Sequence, residues 1–309
     1  MRISRVLVTF AAGFLAGVEA GSVFGFSWWL AAILILAGVS GGLFELSGGS
    51  GRGFVVFVFA VGLFLGFFRV GTEHGAIGEA EKTFDSFLSG DNPTQIPGLV
   101  YSKNGEIVST GEAKKFTQLD EIPFPAYGEM GLENYFKANQ DGAVIRGKMT
   151  DKTVSIITSR GCPHFCNFCS IYQVWGRQWR FRSPKNVVDE IELLITKHGV
   201  QHILFEDDNM TINMTRFEHI CDEIVSRGLK FTWETPNGIR GDRVTLQLAK
   251  KMKAAGCKRV RIAIENGDQH TLDKIIRKDL DLKKALQGIQ ACLDAELLVD
   301  CFFIFGSPV

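Results

Sequence analysis

Thr153-Val154-Ser155-Ile156-Ile157-Thr158 runs directly into Ser159-Arg160-Gly161-Cys162-Pro163-His164-Phe165-Cys166-Asn167-Phe168-Cys169. The first six residues are apolar or β-branched and predict a buried strand. The second part is a loop with three thiols within eight residues. Outward from it, His202–Phe205, Phe231–Glu234, Arg259–Ile264 and Val299–Phe305 also read as strands, and helical segments lie between them. Ser183-Pro184 predicts an N-cap followed by a first-turn proline. Val187, Val188, Ile191, Leu194 and Ile195 form one face of that helix, which Gly199 should end. Segments near Thr215–Arg227, Thr245–Ala255 and Leu282–Ala295 repeat the design, with Gly228 and Gly256 closing the first two. Strands alternating with helices predict an α/β fold, a partial (βα) barrel of parallel strands joined by right-handed crossovers. In such sheets chemistry gathers at the C-terminal ends of the strands.

The residues at those ends are polar. Glu206, Asp207, Asp208 and Asn209 follow the second strand, Asn237 and Arg240 the third, Glu265 and Asn266 the fourth, and Gly306-Ser307-Pro308 the fifth. The chain has seven cysteines, an odd number with none before Cys162, which does not suit a disulfide scaffold. Cys221, Cys257, Cys292 and Cys301 fall in predicted helices and strands and read as small core hydrophobes. The C-x3-C-x2-C loop can fold the thiolates of Cys162, Cys166 and Cys169 around one centre. Zinc would need His164 or a distant cysteine as a fourth ligand. A [4Fe–4S] cluster ordinarily takes four cysteines as well, so three would leave one iron open to an exogenous ligand. The spacing alone puts iron–sulfur somewhat ahead of zinc.

Cys162-x3-Cys166-x-Phe168-Cys169, with Ser159-Arg160-Gly161 before it, is similar to the cluster motif of radical S-adenosylmethionine enzymes. The resemblance implies a [4Fe–4S] cluster whose open iron is chelated by S-adenosylmethionine, and one-electron cleavage of that cofactor to methionine and a 5′-deoxyadenosyl radical. It implies further that Asp207, Asp208 and Asn209 lie near the methionyl amine, that Glu265 holds the ribose, and that Gly306 belongs to the segment beside the adenine. Arg240 is expected either in a salt bridge or on the cofactor's carboxylate. A small-molecule substrate and a reductant such as a flavodoxin or ferredoxin are the implied partners. Upstream, Gly78-Glu79-Ala80-Glu81, the Ile96–Val108 hairpin around Asn104-Gly105, and Leu119–Pro125 resemble the tail of the cobalamin-binding domain of one subgroup. That subgroup performs methylations and rearrangements. The corrinoid pattern D-x-H-x-x-G is absent, which leaves cobalamin doubtful.

Thirty-four basic and thirty-four acidic residues cancel, so no nucleic-acid partner is indicated. They are unevenly spread. Residues 1–72 hold no Lys, four Arg, two Glu and 11 of the 25 Phe. Val6–Phe44 would be about 58 Å long as one helix, roughly twice the hydrocarbon thickness. Two transmembrane helices, Val6–Phe24 and Phe26–Phe44, are therefore expected, with a third near Phe54–Val70. This stretch resembles the membrane N-terminus of competence-type DNA-uptake channel proteins through Phe10–Gly17, Trp28-Trp29-Leu30 and Gly62–Gly66. The expected organisation is thus a transmembrane segment 1–72, a remnant α/β domain and linker 73–149, and a radical S-adenosylmethionine core 150–309 with five of six strands. A membrane location is expected, with the core in the cytoplasm if its cluster works, although three spans would place it outside. Two other readings stay open: a membrane-anchored iron–sulfur electron carrier, and a non-functional fusion of channel and enzyme fragments.

Overall fold

The computed structural model describes residues 74–103, 105–140 and 152–306, which fall into two compact units divided after Lys114. In the first unit, β1 (His74–Ala76), β2 (Leu99–Lys103) and β3 (Glu106–Ser109) form an antiparallel sheet in that order, with α1 (Glu81–Leu88) between β1 and β2. Lys103 pairs with Glu106 at the turn end of the β2–β3 ladder. The Thr83 hydroxyl, on α1, donates to the Pro97 carbonyl at 2.8 Å.

The second unit contains α2 (Leu132–Gln140) and then a parallel sheet. β4 (Thr153–Ile156) pairs with β7 (His202–Phe205), β7 with β8 (Thr232–Ile239), β8 with β9 (Cys257–Glu265), and β9 with β10 (Leu298–Phe303). The two remaining strands, β5 (Ser159–Arg160) and β6 (Arg180–Phe181), pair antiparallel outside this sheet, and α3 (Ile171–Val174) lies between them. The crossovers are α4 (Pro184–His198), α5 (Met214–Ser226), α6 (Leu246–Ala254) and α7 (Leu282–Asp294). Each starts where a side chain satisfies an otherwise orphaned backbone N–H: Ser183, Asn213, Thr245 and Asp281 accept from the residue three positions on. Gly199 ends α4 in the left-handed region at φ 65°.

Every residue of β7 is buried, as a strand covered on both faces requires. Trp233 sits at the centre of the helix–sheet layer. It meets Phe205 edge-on at 5.1 Å and Phe217 of α5 at 6.1 Å, and its indole N–H donates to the Ala255 carbonyl at 2.9 Å. Full burial of each such side chain contributes about 1.5–3 kcal/mol. Cys221, Cys257 and Cys292 are buried in the same layer, as their apolar surroundings in the sequence suggest.

The membrane location is corrected. No helix among the described residues is long and apolar enough to cross a membrane, and the three expected spans lie outside the described residues. The compact division after Lys114 also precedes position 150, so the segment Leu119–Pro125 and α2 belong to the same unit as the sheet.

Candidate active site

The cysteine loop is closed at its base by the β5–β6 ladder, a two-residue clasp pairing Ser159 with Phe181 and Arg160 with Arg180. Gly161 leaves the clasp at φ 88°, and a Cβ there would collide with the Gln178 carbonyl, so only glycine fits. On the far side the loop is held by Asn167, whose backbone N–H donates to the Ile276 carbonyl at 3.0 Å and whose amide donates to the Ile275 carbonyl at 2.6 Å. Those acceptors end a π-helical turn, Thr271–Ile276, between β9 and α7.

Cys162, Cys166 and Cys169 then face a cavity of about 490 Å³ at the C-terminal ends of β7, β8 and β9. Asp208, Asn209, Asn237, Arg240, Glu265 and Lys278 line it with them. Burial pushes the Cys162 and Cys166 thiols up from their ordinary values, while Lys278 opposes the shift at Cys166.

The adjacent acids after β7 do different things. Asp207 is buried and does not line the cavity. Its carboxylate accepts the Thr158 N–H at 3.1 Å, the Thr158 hydroxyl at 2.8 Å and the Ser159 hydroxyl, tying the end of β7 to the base of the cysteine loop. The Arg216 guanidinium donates nearby to the Thr158 carbonyl at 2.9 Å; burial pulls its pKa down to about 10 against the pull of Asp207. Asp208 points into the cavity, and one of its oxygens is buried without a hydrogen-bond partner. Burial, and then repulsion from Asp207, push its carboxyl up to about 6, with only the Gly161 N–H acting the other way. Asn209 is buried; its side-chain oxygen accepts from the Thr211 hydroxyl at 3.1 Å, and its side chain opposes the upward shift of the Cys162 thiol.

The opposite wall holds two ion pairs. Glu265 sits at φ 68°, a conformation rare for a side-chain-bearing residue, and its carboxylate accepts from Lys278 at 2.9 Å with both groups buried. The Ile304 N–H bonds the Glu265 carbonyl at 2.8 Å and fixes that turn. Arg240 is fully engaged. It forks onto Asp242 at 2.6 and 3.0 Å, donates to the carbonyls of Lys278 (3.1 Å) and Asp279, and lies 3.2 Å from the His164 ring. Burial and the Arg240 charge hold His164 below its ordinary pKa.

Of the residues singled out in the sequence, the three cysteines, Asp208, Asn209, Arg240 and Glu265 thus share one cavity. Asp207 and Gly306 do not line it, and Gly306 is exposed. Lys278 was not foreseen. It follows a π-helical turn instead of a strand end, and its neighbours Arg277 and Asp279, both at positive φ, gave no periodic signal.

The donor set is compatible with an iron–sulfur cluster. The three thiols share a cavity wall, where each can bind a separate corner of a cluster.

The fold and site define a parallel α/β domain with three thiols in the loop after its first strand, and comparison with known proteins gives the family. Residues 156–308 match the model of the radical SAM superfamily and are a radical SAM domain. The chain is 32% identical over 216 residues to cytidylyl-2-hydroxyethylphosphonate methyltransferase of Streptomyces wedmorensis, covering 68% of this chain and 39% of that one. It is 30% identical over 227 residues to anaerobic magnesium-protoporphyrin IX monomethyl ester cyclase of Cereibacter sphaeroides, covering 73% and 35%. The structure of the methyltransferase TsrM from Kitasatospora setae, with cobalamin and a [4Fe–4S] cluster bound, superposes with a TM-score of 0.59 at 19% identity over 78% of this chain and 48% of that one. The chain therefore spans less than half the length of these relatives.

Proposed function

We propose that the chain is a radical S-adenosylmethionine enzyme of the type that methylates or rearranges a small molecule, its chemistry carried by residues 150–309. The observation that supports this most is the shared cavity: three thiols, the Asp208 carboxylate, the Glu265–Lys278 pair and Arg240 line one space at the strand ends. Cys162, Cys166 and Cys169 would hold a [4Fe–4S] cluster. The chemistry supplied by such a cluster with S-adenosylmethionine is one-electron cleavage of the sulfonium, giving methionine and a 5′-deoxyadenosyl radical.

The chain's own residues prepare that space. Asp207 sets the position of the cysteine loop through Thr158 and Ser159. Asp208, which lines the cavity, offers its carboxylate to the cofactor's amino group, and Asn209 lines the same space beside Cys162. Glu265, held at its strained turn, offers its carboxylate to the ribose hydroxyls, and Lys278 balances its charge. Arg240 keeps the loop after β9 and the His164 ring in place, so its role is positioning. Gly306 is assigned to the adenine end. The reading includes a protein reductant and assigns no residue of this chain to cobalamin.

Anaerobic incubation of the iron-reconstituted chain with S-adenosylmethionine and dithionite tests this reading. It should release 5′-deoxyadenosine and methionine in equal amounts. Neither product, from a chain that carries its full iron, would refute it.

A further inference from the structure

The segment 159–182, which carries the cysteine loop, contains four Arg, six aromatic residues and no Asp or Glu. Two of the arginines are used internally: Arg180 donates to the Phe116 carbonyl at 2.8 Å, and Arg182 pairs with Glu190. Arg177 is used differently. Its guanidinium stacks on Phe165 at 4.0 Å and on Tyr172 at 4.5 Å, and it donates to the His164 carbonyl at 2.6 Å. Phe165 is 59% exposed and Tyr172 42%. The result is a rigid, positively charged aromatic surface in which Phe165 lies immediately before Cys166 in the chain. Arg160, stacked on Trp175 at 4.7 Å, adds a second guanidinium. The adjoining turn contributes exposed Lys274 and Arg277 against exposed Asp273 and Asp279, so the rim stays positive. Aromatic and arginine side chains are the groups most enriched at protein-binding hot spots.

We infer that this face, centred on Phe165, Tyr172 and Arg177, docks an acidic one-electron carrier protein. The inference rests on the radical-enzyme reading and deepens it by naming the partner's chemistry and its landing site. One electron leaves the carrier's reduced flavin or iron–sulfur centre and one arrives at the cluster; the carrier is oxidised, the cluster reduced, and no bond forms or breaks.

The test uses the full chain and an acidic flavodoxin. Titration calorimetry gives the affinity for oxidised flavodoxin. Anaerobic stopped-flow absorbance gives the rates of cluster reduction by the flavodoxin hydroquinone and by dithionite. Binding should weaken with salt. Arg177→Glu should lower both affinity and the flavodoxin rate about tenfold and leave the dithionite rate unchanged. Arg177→Gln, the gentler variant should Arg177→Glu misfold, should lower them about threefold. Affinity and flavodoxin rate equal to wild type in a folded variant, or wild-type binding indifferent to salt, would overturn the inference. A wild-type chain that assembles no cluster would instead count against the functional reading, and the calorimetric comparison, which needs no cluster, would still decide the docking face.

Discussion

Asp207 and Asp208 are neighbours in sequence, and the structure predicts opposite effects of converting each to asparagine in the cluster-free chain. Asp208 has its pKa raised from 3.8 to about 6, chiefly by burial. A raised carboxyl means that the folded state binds the proton more tightly than the unfolded state. The associated stability is fully present below about pH 4 and is lost as pH rises through about 6. At about 1.4 kcal/mol per pKa unit the loss has an upper bound of about 3 kcal/mol, and partial solvent contact reduces it to about 1–2 kcal/mol. Asp208→Asn removes this penalty. Urea unfolding should show the variant more stable than wild type by about 1–2 kcal/mol at pH 8, with the difference shrinking to nothing near pH 4. Asp207→Asn should be less stable than wild type at pH 8 by about 2–4 kcal/mol, because the amide NH2 replaces one of the two accepting oxygens and leaves a buried donor of Thr158 or Ser159 without an acceptor. Equal shifts for the two variants, or a gain for Asp208→Asn that does not depend on pH, would refute the assignment of cavity and scaffold roles.

Other consequences can be checked separately. Replacing Cys162, Cys166 or Cys169 by alanine should abolish iron uptake on anaerobic reconstitution, whereas Cys221→Ala, in the helix–sheet layer, should leave the iron content at the wild-type level. Gly161→Ala should lower stability by about 2 kcal/mol or more in urea unfolding and reduce iron uptake, since the new Cβ meets the Gln178 carbonyl at a positive φ. Lys278→Met should cost about 3–5 kcal/mol by stranding the buried Glu265 carboxylate, and Glu265→Gln in the same chain should recover much of it. A double variant as unstable as Lys278→Met would show that the pair is not coupled.

Much of the core was legible because its determinants are local. Ser183, Pro184 and Gly199 each act within a turn of the helix they bound, and Asn104-Gly105 signals the β2–β3 pairing within two residues of sequence. The thiol spacing of the cysteine loop is likewise local. The features that escaped depend on tertiary position. The third strand is expected at Phe231–Glu234, yet β8 continues through Pro236 to Ile239 by way of a register shift between Thr235 and Ile239. The clasp between Ser159–Arg160 and Arg180–Phe181 is too short to carry a pattern. No period distinguishes Asp207 from Asp208. Which carboxylate faces the cavity depends on how the end of β7 meets Thr158, and Lys278 reaches Glu265 only because a π-helical turn carries the chain back across the strand ends. The apolar composition of residues 1–72 pointed to a membrane location that the described residues do not carry.

The central claim is that three thiols hold a cluster with one coordination position left for S-adenosylmethionine. Electron paramagnetic resonance of the anaerobically reconstituted, dithionite-reduced chain, recorded with and without S-adenosylmethionine, tests it most directly. The account predicts a reduced-cluster signal whose g-values shift when the nucleotide is added. A cluster signal indifferent to the nucleotide, or no cluster signal at all, would contradict it.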